Sequence, residues 1–284
     1  MRTEQDIIGQ VLDHARADAD IRAVVRTDLV PVRAYLKQYN FYFIVRDMKK
    51  YQDDGVFLTC FGERILLYRG DRNYPEMFGG MAAHLMVFRD GITMAVYAAT
   101  AEQFLREFAG PGHDNVWMGR TYQKLLDKDG LLPHIDKRAD EQLSFTERPT
   151  SEAFEGTCME FFWVLKTFSE YVRREELPAA MFYLHVSVRD MLNRMLRWHI
   201  GMSHGFSVEL GILDSYFGRH LRPELWALYR QTYPTAETES LRAAFDATVR
   251  LFRVAATEVA QAQGFAYPAD TERDMLAFIA RMEA

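Results

Sequence analysis

Six side chains in this 284-residue chain stand where a ligand could be held: Gln38, Asn40, His84, Glu160, Trp163 and Glu170. Gln38 and Asn40 flank Tyr39 at the head of an apolar run that reads as a strand. Amides both donate and accept hydrogen bonds, which suits contact with a polar ligand. Glu160 lies beside an aromatic stripe, Phe161, Phe162, Trp163, Phe168 and Tyr171, continued by Phe182 and Tyr183. A carboxylate next to aromatic faces is a natural seat for an amine, and the faces themselves can stack on a flat guest or hold a cation. The same stripe also reads as core. Glu170 pairs equally well with Arg173 or Arg174 on its own helix. His84 falls in a hairpin, pointing either into a site or into the core.

The remaining nucleophiles and ligands do not assemble. His199 and His204 are five residues apart around Gly201, a spacing that does not put both on one helical face, and His185 precedes Arg189 by one turn. No histidine pair forms a metal motif, and no Ser-His-Asp or Cys-His set emerges. Cys60 and Cys158 are far apart with no Cys or His at metal-ligand spacing, so a disulfide framework is not indicated and a reduced, cytoplasmic setting is the default. No metal and no cofactor is expected from these residues.

The elements that must carry these side chains change character along the chain. A helix is expected from Thr3, its N-cap, to about Ala17, with strands over 21–26, 41–45 and 64–68. A hairpin over 84–88 and 92–98 turns at Asp90-Gly91, a strong local signal. A helix over 101–108 ends before the break Gly110-Pro111-Gly112. The polar stretch 137–150 suits a linker, and beyond it the apolar spacing is helical over 152–174, 179–199, 223–231, 239–262 and 271–282.

Composition sets outer bounds. Hydrophobic residues make up 49% and charged residues 26%, ordinary for a globular chain of this length, and no apolar run reaches the ~20 residues of a bilayer span. A net charge of −6 argues against a nucleic-acid surface and suits a cationic ligand. The N-terminal stretch carries Glu4, Asp6 and Asp13 and does not read as a signal peptide.

Several motifs point to a family. Met1-Arg2-Thr3-Glu4-Gln5 with Ile21-Arg22-Ala23-Val24 resembles the start of the aminoglycoside 6-adenylyltransferases (streptomycin adenylyltransferases). Asp127-Lys128-Asp129-Gly130-Leu131-Leu132-Pro133, Cys158-Met159-Glu160-Phe161-Phe162-Trp163-Val164, Arg197-Trp198-His199-Ile200-Gly201, Phe206-Ser207 and Tyr267-Pro268 are similar to stretches of the same family, in order and spacing. The resemblance implies an α+β chain. Its N-terminal part, 1–136, is a nucleotidyltransferase-like mixed sheet with flanking helices, and its C-terminal part, 151–284, is a helical bundle. The linker 137–150 joins them beside a ligand cleft.

The resemblance also implies a reaction, from which this sequence departs. The family carries Gly-Ser-Arg after the first strand, Asp-x-Asp before the second and a third Asp on a later strand, the last three holding Mg²⁺. Aligned without gaps, these positions read Asp28-Leu29-Val30, Gln38-Tyr39-Asn40 and Ala95. A family lysine falls at Glu170, and a Gly-Lys becomes Gly211-Ile212. The expectation is therefore a degenerate member that has lost Mg²⁺- and ATP-dependent transfer. It would hold a small organic ligand, natural-product-like and cationic or aromatic, in the interdomain cleft, either as a binding protein or as a metal- and nucleotide-independent enzyme of specialised metabolism. One alternative is an active aminoglycoside adenylyltransferase with a displaced metal site drawing on Asp28, Asp90 or Glu170. Another is a non-catalytic, partner-binding protein that forms a homodimer through its helical half.

Overall fold

The computed structural model describes residues 2–27, 38–53, 55–73, 75–109, 122–132 and 147–283. Contacts gather the chain into two compact units, Met1–Asp140 and Glu141–Ala284, each with its own core. Asp28, the break at Gly110-Pro111-Gly112 and residues 137–146 lie outside the described residues.

The first unit begins with helix α1 (Glu4–Ala17), capped as its sequence requires. Thr3 Oγ1 accepts from the Asp6 amide at 3.2 Å, and the Asp6 carboxylate accepts from the Thr3 amide at 2.6 Å. Strands β1 (Ile21–Thr27), β2 (Gln38–Val45) and β3 (Arg64–Arg69) follow, then the short helix α2 (Gly70–Asn73). The hairpin is β4 (Ala82–Phe88) and β5 (Thr93–Ala99), followed by helix α3 (Ala101–Ala109) and strand β6 (Tyr122–Asp127). The sheet runs β3-β4-β5-β2-β1-β6; β2 and β5 are parallel and every other neighbouring pair is antiparallel.

Side-chain alternation divides the sheet into two apolar faces. Ile7 and Val11 of α1 pack on Val24, Phe41, Phe43 and Val96 on one face. On the other, Phe104 of α3 packs with Ala23, Val25, Tyr42, Ile44, Ala95 and Tyr97. β6 escapes a reading from periodicity because Gln123 and Lys124 stand on an edge, where polar residues block further strand pairing.

The second unit is helical, which makes the described chain α+β. Thr150 caps α4 (Ser151–Arg173) by accepting from the Ala153 amide at 3.1 Å. α5 (Leu177–Phe182) runs through a π-helical turn (Tyr183–Val188) into α6 (Arg189–Ser203), where the sequence reads as one uninterrupted helix. Then come α7 (Phe217–His220), α8 (Pro223–Gln231), α9 (Thr238–Gln263) and α10 (Ala269–Glu283). Phe161 of α4 and Phe252 of α9 stack at the core, ring centroids 3.6 Å apart and nearly coplanar in orientation.

The motifs behind the family resemblance each do a structural job. In the turn after β6, Asp127 accepts from the Leu131 and Leu132 amides at 2.9 and 3.2 Å, and Gly130 supplies the left-handed residue. Lys128 donates to the Ala15 and Asp18 carbonyls at 2.7 and 2.9 Å, satisfying the open end of α1, while Asp129 pairs with Arg22 of β1. In α6, Gly201 has no side chain because a Cβ there would meet the Phe206 ring at 2.6 Å. Arg197 holds Asp214 through two bonds of 2.7 and 2.8 Å, and His199 meets Glu258 at 2.6 Å. Tyr267 donates to Glu272, which also receives Arg253.

Candidate functional site

Parallel pairing of β2 with β5 places Gln38 beside Thr93 and Asn40 beside Ala95. Antiparallel pairing of β1 with β2 places Thr27 across from Asn40. Because side chains alternate, these five residues share one face at one end of the sheet. Gln38 is exposed at the rim, whereas Asn40, Thr27 and Ala95 are buried. Deeper on the same face the surface becomes apolar: Tyr42 stacks on Tyr97 at 4.7 Å, and Phe104 meets Tyr42 edge-on at 5.4 Å. Burial pushes the Tyr97 phenol up to about 12, so it stays protonated at neutral pH.

The polar atoms of this patch are incompletely paired. Thr27 Oγ1 and Asn40 Oδ1 are both buried, and among the described residues neither has a hydrogen-bond partner. An orphaned buried acceptor of this kind costs about 1–3 kcal/mol. Among the described residues no group of three or more His, Cys, Asp or Glu side chains could hold a metal ion. The patch nevertheless offers oxygen, the atom that hard divalent cations take, in neutral form. Two buried neutral oxygens without a carboxylate do not make the charged-oxygen set that Mg²⁺ favours.

The other candidates occupy different surroundings. His84 sits on the opposite face of the sheet from Asn40, fully buried, edge-on to Phe57 at 5.1 Å, with Nε2 3.3 Å from the Asp53 carbonyl. Burial, reinforced by the Arg69 charge, holds its imidazole down to about 4, so it is neutral. Glu160, Trp163 and Glu170 belong to the second unit and share the outward face of α4. Glu160 is exposed, and Trp163 is 68% exposed while Phe161, Phe162 and Phe168 beside it are core. Glu170 pairs with neither Arg173 nor Arg174 in the described contacts but with Lys166, at 2.8 Å, one turn earlier. Lys166 also lies 5.5 Å from the centre of the Trp163 ring.

Two carboxylates considered for a displaced metal site are thus engaged. Glu170 holds Lys166. Asp90 accepts from Arg2 at 2.7 and 3.2 Å in the β4–β5 turn, and that bond holds its carboxyl below the usual range. The Gly211-Ile212 position opens a loop in which Gly211, Leu213 and Asp214 all adopt left-handed backbone angles. Sequence reasoning missed Thr27 and Lys166. The i,i+4 spacing of Lys166 and Glu170 was visible in the sequence, whereas the Thr27–Asn40 register was not. In the helical unit a groove of about 590 Å³ opens between α4, α9 and α10, and none of the six candidates lines it.

The profile of the streptomycin adenylyltransferase family matches residues 1–282. The chain belongs to that family. Among its relatives, an aminoglycoside 6-adenylyltransferase of Campylobacter jejuni is 27% identical over 281 residues, 96% of this chain and 93% of that protein. Another, of Bacillus subtilis (strain 168), is 26% identical over 274 residues, 94% of each chain. A third, of Staphylococcus aureus, is 24% identical over 94% of each. The crystal structure of an aminoglycoside 6-adenyltransferase from Bacillus subtilis aligns with a TM-score of 0.47 at 23% identity, covering 99% of this chain and 98% of that one. These findings correct one expectation. A family member that has abandoned adenylyl transfer to hold a small ligand is contradicted by relatives that share nearly the whole chain and are themselves aminoglycoside 6-adenylyltransferases. No described helix is long and apolar enough to cross a membrane.

Proposed function

We propose that the protein transfers the adenylyl group of ATP to a hydroxyl of an aminoglycoside. The observation that carries this reading is the family match, which runs through both units, residues 1–282. In the reaction the acceptor oxygen bonds to the α-phosphorus, the bond from that phosphorus to the bridging oxygen breaks, pyrophosphate leaves, and the hydroxyl proton passes to solvent. Such chemistry rests on positioning and on neutralising phosphate charge. Mg²⁺, when bound, would supply that neutralisation.

The chain's own side chains divide the remaining work. Gln38, exposed at the rim, donates its amide to a phosphate oxygen. Glu160 and the exposed face of Trp163 suit the ammonium groups of the acceptor, as does the net charge of −6. Initial rates of pyrophosphate release, measured with ATP and Mg²⁺ over a panel of aminoglycosides, test the reading. Release that depends on the aminoglycoside supports it, and release that is absent or indifferent to the acceptor sinks it.

A further inference from the structure

The groove between α4, α9 and α10 has no part in the adenylyl-transfer reading. Its floor is apolar: Phe168, Val172, Leu241, Val249 and Ile279 are buried, and the half-buried Phe245 ring stacks 6.4 Å from that of Phe168. Its volume of about 590 Å³ falls within the ~300–1,000 Å³ of small-molecule sites. Such sites set a few polar groups on an apolar lining. Here those groups are four charged side chains of α9: Arg242, Asp246, Arg250 and Arg253.

Two of the four are already engaged. Arg242 pairs with Glu239 at 3.4 Å and Arg253 with Glu272 at 2.8 Å. Asp246 and Arg250 are exposed, and among the described residues neither forms an ion pair or a side-chain hydrogen bond. Side chains four apart on a helix stand about 5–6 Å from each other, and an acid placed before a base is the order that favours pairing. The two nonetheless stand open side by side on the groove wall. A guest that completes both carries an ammonium for Asp246 and a carboxylate for Arg250, whose planar fork suits that group. It also carries apolar groups to cover the floor. The termini of a dipeptide, which spans roughly 7 Å at full extension, match this separation. We propose that the groove binds a short apolar peptide of about two residues, its ammonium on Asp246, its carboxylate on Arg250 and its side chains on the Phe168–Phe245 floor. The inference is independent of adenylyl transfer, since none of the six candidate ligand residues lines this groove.

The test is calorimetry on the full chain with leucylphenylalanine, its C-terminal amide, its N-acetyl form and glycylglycine. The wild type binds leucylphenylalanine saturably, binds the amide and the N-acetyl form about fivefold more weakly each, and leaves glycylglycine unbound. In Arg250→Gln the peptide and its amide bind alike, and in Asp246→Asn the peptide and its N-acetyl form bind alike. Ala280→Trp, at an exposed position on the groove wall, fills the hollow and abolishes binding. Absence of saturable binding to the wild type at millimolar peptide overturns the inference, as does a wild type indifferent to capping of either terminus. A preference for free termini that persists in Arg250→Gln and Asp246→Asn, or an affinity unchanged in Ala280→Trp, overturns it as well. Each of these results leaves the adenylyl-transfer reading intact.

Discussion

Asn40 stands directly beside Ala95 in the parallel pairing of β2 with β5. Gln38, Asn40 and Ala95, where the resemblance sets the family's acidic residues, therefore share one sheet face as two amides and a methyl.

Thr27 can be tested without ligand. Its hydroxyl is buried and unpaired, so Thr27→Val exchanges an unsatisfied donor and acceptor for a methyl of the same shape. The variant gains stability, by about 1 kcal/mol in urea unfolding. A loss of similar size shows that the hydroxyl is satisfied in solution.

Burial of His84 makes stability depend on pH. Its folded value of about 4 lies below the ordinary 6.5, so below pH 6.5 the unfolded chain takes a proton that the folded chain refuses. The contribution is complete above pH 6.5 and is lost as the pH falls toward 4, amounting to roughly 3 kcal/mol. Unfolding measured between these pH values falls more steeply in the wild type than in His84→Gln. Equal slopes would show that His84 is not neutral and enclosed.

The loop after Gly211 holds strain that mutation can read. Leu213 has φ 53° and is 67% exposed, so Leu213→Gly loses little packing and removes a left-handed penalty of about 1–2 kcal/mol, part of which the more flexible unfolded chain offsets. A net gain below 1 kcal/mol is expected from denaturant midpoints. Asp214, also left-handed, is held by Arg197 and Asn193, and Asp214→Ala destabilises by about 2 kcal/mol or more.

In the helical unit, Phe161 and Phe252 are both fully buried and stacked between α4 and α9. Phe161→Ala removes the ring and leaves a cavity, costing about 3–5 kcal/mol in unfolding free energy. Trp163→Ala, two residues on but exposed, costs under about 1 kcal/mol. A reversal of that order would place α4 with its other face inward.

Much of this architecture was legible in the sequence because it is written locally. Thr3 and Asp6 announce a helix start, Asp90-Gly91 a hairpin, and the spacing of Phe154, Cys158, Phe161 and Leu165 a buried helix face. Edge strand β6 was not, since Gln123 and Lys124 interrupt its alternation, and neither was the π-turn, whose sequence keeps an ordinary helical appearance. At the site, Gln38, Asn40 and Ala95 could be found by resemblance. Thr27 could not, because register across β1 and β2 and the lack of a partner at its hydroxyl are properties of packing rather than of spacing. The inference from missing carboxylates to missing activity is contradicted by relatives that match nearly the whole chain, because it rested on side-chain charge at three positions read from an ungapped alignment.

The most direct measurement is transfer of label from ATP to acceptor. ATP carrying radioactive phosphorus at the α-position is incubated with the protein, Mg²⁺ and streptomycin or a related aminoglycoside, and the products are separated. The account predicts label in the aminoglycoside with an equal amount of pyrophosphate released, lost on chelation of Mg²⁺ and weakened in Asn40→Leu. Unlabelled aminoglycoside across the whole panel, from protein that is folded and supplied with Mg²⁺, contradicts it.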